Sequence, residues 1–310
     1  MKTKRMRVPA GILALCGSVL AMLSTVASAA ALQPYVLAYS TDAALQAETD
    51  AVVGKLTGAG FEVIGQYSPY DGTVVIGVTS DALKQAAAAT EMGGFAAAEH
   101  VALTSVNGAV QVSYLNPPYM AAAYRLKTDL ADVAAAMTAA LGAEKTFGTE
   151  KGRDADDLQK FHYMVGMEYF DDTYKLGSYD SYEDAVKAVE ANLEKNVGGA
   201  AKVYRVDVPG KQQTVFGVSR AKVGDERAND RHIMQDVVDA SFDIKTSAYL
   251  PYQMMVNGKD VVALHMRFRM AVWHPDLTMV TFGKLMSSPG AIQELLDEVA
   301  GGDAKKDFSF

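Results

Sequence analysis

Cysteine is nearly absent from this chain. The one copy, Cys16, lies in the apolar N-terminal stretch, so a chain cleaved after it holds none. That excludes disulfides, thiol catalysis, covalently attached c-type haem, iron–sulfur clusters and cysteine-bound zinc from the mature protein. Positive charge is also in short supply, with 29 Lys and Arg against 37 Asp and Glu, which argues against a nucleic-acid partner. Beyond the N-terminal run no stretch has the roughly 18 consecutive apolar residues that a membrane span needs. No Gly-x-Gly-x-x-Gly, phosphate-binding loop, nucleophile elbow or His-Glu-x-x-His occurs.

What the chain does have begins at its N-terminus. Residues 1–7 carry Lys2, Lys4, Arg5 and Arg7 with no acid, an apolar run covers 11–26, and Ala27-Ser28-Ala29 follows. This order predicts a Sec signal peptide over 1–29, cleaved near Ala29, and a periplasmic or secreted protein. Leu15 occupies the position before Cys16 where lipidation requires a small residue, so a lipoprotein is not expected. Cleavage removes the four cations and takes the formal charge from −8 to −12.

The rest reads as a duplication. At an offset of 140, Val63, Pro69, Val75, Gly77 and Val78 coincide with Val203, Pro209, Val215, Gly217 and Val218. At an offset of 150, Val106-Asn107-Gly108 meets Val256-Asn257-Gly258, and Met120-Ala121 meets Met270-Ala271. About ten extra residues therefore fall between 220 and 252 in the second copy. Each copy carries a helix with an apolar face (Leu45, Val52, Leu56; Ala185, Val186, Val189, Leu193), then strands, an Asn-Gly hairpin signal and a closing helix. Ser181 with Asp184 resembles a capping box, and Ser288-Pro289 marks the start of the last helix. The predicted class is α+β: two similar two-layer α/β sandwich lobes with mostly antiparallel sheets, at 32–142 and 173–300. A charged linker with a short helix (143–172) joins them, and a polar tail (301–310) ends the chain.

The second copy reads Tyr174-Lys175-Leu176-Gly177-Ser178-Tyr179, Thr214-Val215-Phe216-Gly217-Val218, Leu250-Pro251-Tyr252-Gln253-Met254-Met255-Val256, Arg269-Met270-Ala271 and Thr281-Phe282-Gly283-Lys284. In these stretches it resembles the DUF302 family of small bacterial α+β domains. The first copy is a fainter relative that lacks the Leu-Pro-Tyr stretch. The resemblance implies a fold but no chemistry, because the family has no agreed catalytic residues to carry over.

Candidate sites therefore come from the residues themselves. His265, Arg267, Arg269 and Trp273 sit at odd positions of a stretch whose even positions are Met266, Phe268, Met270 and Val272. Read as a strand, the even row faces the core and the odd row projects together. Such a row of cations beside an indole is either a salt-bridged solvent face, a groove for a small anionic ligand, or a surface for a periplasmic partner protein. The pairs His162/Met164, His232/Met234 and His265/Met266 raise copper or haem handling as an alternative. In a strand His265 and Met266 point to opposite faces, and i, i+2 pairs diverge on a helix, so no metal or other cofactor is expected. An enzyme of unrecognised type is the further alternative, without a visible nucleophile–base pair. A non-catalytic binding or accessory module is the favoured reading.

Overall fold

The computed structural model describes residues 1–2, 31–220 and 225–301; almost all of the predicted signal peptide and of the polar tail lies outside the described residues. The first lobe opens with β1 (Tyr35–Thr41), α1 (Leu45–Gly58), and the hairpin of β2 (Glu62–Tyr67) and β3 (Thr73–Thr79). It continues with α2 (Asp81–Ala89), β4 (Glu99–Val106), β5 (Ala109–Leu115), α3 (Pro117–Ala123) and α4 (Ala131–Leu141). Next come β6 (Lys145–Phe147) and α5 (Ala155–Gln159). The second lobe runs β7 (Thr173–Ser178), α6 (Tyr182–Glu194), β8 (Ala201–Asp207), β9 (Gln213–Ser219), β10 (Tyr252–Asn257), β11 (Asp260–Leu264) and α7 (Met266–Trp273). It closes with α8 (Met279–Lys284) and α9 (Ser288–Val299).

Local chemistry sets many of these boundaries. Ser80 and Ser181 cap α2 and α6 by accepting the Leu83 and Asp184 amides, which the first turn cannot satisfy internally. The α6 face carrying Ala185, Val186, Val189 and Leu193 is buried, as its spacing predicts. Val106 pairs with Ala109 across Asn107 (φ 52) and Gly108 (φ 89), two turn residues that must take positive φ. The second hairpin turns one residue later: Asn257 pairs with Asp260, and Gly258 (φ 59) takes the first central position.

Both sheets are antiparallel, and their strand orders coincide: β2-β3-β4-β5-β1-β6 in the first lobe, β8-β9-β10-β11-β7 in the second. Apart from β6, each strand has its counterpart at the same place. Even the irregularities recur, with register shifts at 63/65 in β2 and at 202/204 in β8. These equivalent edge strands pack on each other. A Cβ on Gly65 would lie 2.0 Å from the Val203 carbonyl oxygen, so this close approach needs glycine. The two lobes share one hydrophobic core and belong to a single compact unit that begins at Ala31.

Two expectations need correction. The stretch 143–172 is not a free linker, because β6 adds to the first sheet beside β1, and Leu158, Phe161 and Phe170 are buried. Phe161 and Phe170 both pack on Phe268, so interspersed apolar anchors hold the charged chain down. The second correction concerns the stretch carrying the candidate row. Strand β11 stops at Leu264, and 266–273 is the helix α7 with His265 as its cap. Seven of its eight residues are buried, so helical periodicity has no polar face to show, and the alternation of Met, Phe and Arg imitates a strand.

Candidate functional site

Helix geometry disperses the odd row. His265, Arg269 and Trp273 follow one another four residues apart on one stripe, while Arg267 turns away. At the rim, Arg267 donates to Glu168 Oε1, and His265 Nε2 lies 3.2 Å from the same oxygen. The Tyr174 ring packs on His265 at 4.1 Å, and burial pushes the histidine down to about 4 despite the nearby Glu168. Both rim residues are thus committed to an internal carboxylate rather than to an anion from outside.

Deeper along the stripe, Arg269 is 2% exposed and donates from Nη2 to the carbonyls of Tyr249 (2.6 Å) and Pro251 (2.9 Å). Its guanidinium lies 4.0 Å from the centre of the Tyr249 ring. It therefore braces the turn leading into β10. Trp273 donates from Nε1 to the Tyr124 hydroxyl at 2.8 Å and packs against Tyr35 and Tyr119, all three from the first lobe. Arg269→Gln is expected to lower the unfolding free energy by about 2–3 kcal/mol, because two buried carbonyls lose a charged donor. Arg267→Gln should change it by less than about 1 kcal/mol. Urea midpoints check both.

A different arrangement stands where the stripe ends. A cleft of about 470 Å³ opens between β6 with its following loop and the segments 242–246 and 274–277 of the second lobe. Its floor is made by Thr246 and His274. Thr246 Oγ1 donates to Asp239 Oδ1 at 2.7 Å, and Asp239 also accepts the Thr246 amide. His274 Nε2 is 3.1 Å from both Thr246 Oγ1 and the Tyr35 hydroxyl. Burial holds the His274 ring down at about 3 and pushes Asp239 up to about 6. A ring that titrates so low is a weak base at neutral pH.

The walls are mostly apolar, with Phe147 on one side and Phe242, Ile244 and Leu277 on the other. Asp276 accepts from Thr149 Oγ1 (3.1 Å) and from the Glu150 amide (2.7 Å), which ties the loop after β6 to the second lobe. The remaining rim charges are Lys145, Glu150 and Asp243. Sequence reasoning missed this cleft because 143–172 read as a linker and because its two walls lie nearly a hundred residues apart. The signal present was Lys145-Thr146-Phe147, a short alternating strand inside the charged stretch.

The His/Met pairs are split. Met234 and Met266 are buried in the core, while His232 is half-buried and His265 turns to Glu168. His162 Nδ1 donates to the Met164 carbonyl, and the Met164 side chain stands in solvent. Among the described residues no group of three or more His, Asp or Glu could hold a metal ion, and no helix is long and apolar enough to cross a membrane. No family model matches the chain, and no curated protein or solved structure matches it either.

Proposed function

We propose that this chain is an exported, non-catalytic binding module, distantly related to the DUF302 domains, whose ligand occupies the cleft between the two lobes. One observation carries the reading: a cleft of about 470 Å³ has apolar walls from both halves and a floor of hydrogen-bonded Thr246 and His274. Apolar walls with a few fixed polar groups are what small-ligand sites present. The ligand is not an anion held by Arg267 and Arg269, since Arg267 meets Glu168 and Arg269 is buried away from the surface. It is a neutral or cationic group, for two rim carboxylates, Glu150 and Asp243, face a single lysine. The Sec-type order of residues 1–29 supports export.

Ligand-observed NMR with a neutral and cationic fragment library tests this. Fragments should bind competitively with one another, and Ile244→Trp, which fills the cleft, should abolish their signals. Fragments that bind the tryptophan variant unchanged would place the ligand elsewhere and sink the reading.

A further inference from the structure

We infer that the cleft receives an extended peptide with a basic side chain, which adds as a further strand to the outer edge of β6; this rests on the reading of the cleft as a binding site. β6 ends the six-stranded sheet, pairing with β1 on one side only. The cleft borders Lys145, Thr146 and Phe147 alike. Successive strand residues point to opposite faces, so a cavity that touches all three runs along the strand's edge rather than over one face. An unpaired edge offers N–H and C=O groups at the strand repeat, a pattern that another extended backbone matches and a compact small molecule does not.

Side-chain chemistry across the cleft fits the same occupant. Phe147 shares its sheet face with Tyr35, its direct cross-strand partner, and the two rings stack at 5.4 Å. Opposite it stands Phe242, which is 43% exposed although large and aromatic. A peptide laid along β6 covers both rings with alternate side chains. Its next side chain in line reaches the rim, where Glu150 and Asp243 outnumber Lys145 and where Asp276 is already taken by the loop. That excess of acid selects lysine or arginine. Lys145 on so short an edge strand also discourages indiscriminate pairing between copies of the chain.

The test uses the chain from residue 31 onward and four blocked peptides. The first is acetyl-Val-Lys-Val-Thr-Val-Thr-amide. The second has norleucine in place of lysine. The third and fourth are isomers N-methylated at alternate amides, each losing the donors of one edge. Fluorescence anisotropy gives affinity, and backbone amide shifts at Thr146 and Phe147 give location. The lysine peptide should bind with those shifts, and norleucine should weaken it by about threefold at low salt. Glu150→Gln with Asp243→Asn should erase that difference. One N-methylated isomer should fail and the other should bind. Equal binding by both isomers overturns strand addition, as does β6-mediated self-association in light scattering that the peptide does not displace. If no peptide binds while fragments still do, the inference falls and the cleft stands as a small-molecule site. If neither binds, both readings fall.

Discussion

Trp273→Ala is expected to cost about 3–5 kcal/mol of unfolding free energy, a large share of what a domain of this kind has to lose. The indole is 1% exposed and sits among Tyr35, Tyr119 and Tyr124 of the other lobe, so truncation opens a void at the seam. It also strips the Tyr124 hydroxyl of the indole donor that reaches it at 2.8 Å. Trp273→Phe keeps much of the volume and should cost less. Chemical denaturation of both variants, followed by far-UV circular dichroism, gives the comparison. An alanine variant within about 1 kcal/mol of wild type would show that the lobes do not depend on this contact.

Acid should leave stability nearly level at first and then lower it. His100 and His274 titrate near 3 in the fold against an ordinary 6.5, because burial disfavours their charged forms. Between those values the unfolded chain binds more protons, so these two groups lose stability as pH falls. Asp239 and Asp230 act in the opposite sense. Burial pushes them up to about 6 and about 7 from 3.8, so the folded chain takes their protons first and gains stability as pH falls. Buried Glu99, raised well above 4.5, works with them. From about pH 6 to 4 the two sets offset each other. Below about 4 the unfolded chain's aspartates take up their protons too, the offset fades, and the two histidines leave a net loss of about 1 kcal/mol per pH unit. Urea midpoints at pH 7, 4.5 and 3.3 read this out, and His100→Gln with His274→Gln should flatten the last interval. A steady decline from pH 7 downward would contradict the opposed burial.

The fold was legible in the sequence where local chemistry and side-chain period agree. Ser181 and Asp184 cap α6, Asn107-Gly108 turns a hairpin, and repeated Val and Gly positions mark equivalent strands. Legibility failed where burial is total. Helix α7 has almost no exposed face, so Met266, Phe268, Met270 and Val272 alternated like a strand. Its counterpart held the missing signal. α3 begins at Pro117-Pro118, which favours a helix start, and the Met120-Ala121 match to Met270-Ala271 could have carried that assignment across. Of the candidate row, the chain's pattern identified residues that are coupled, but coupled inward: two meet Glu168 and two knit the core. The cleft lay out of reach because it joins residues near 147 to residues near 244, and neither side looks like half of a site.

The approach of β2 to β8 at Gly65 makes each lobe part of the other's cover. The two lobes present equivalent sheet edges, and these shelter each other across a contact that admits no side chain. With Trp273 of one lobe seated among tyrosines of the other, neither lobe can be removed or exchanged for its sibling without stranding an apolar seam in water. Lobes alike in strand order are therefore complementary parts and not interchangeable ones. Among the described residues β6 has no counterpart in the second sheet, and it gives the first lobe a cleft wall of its own.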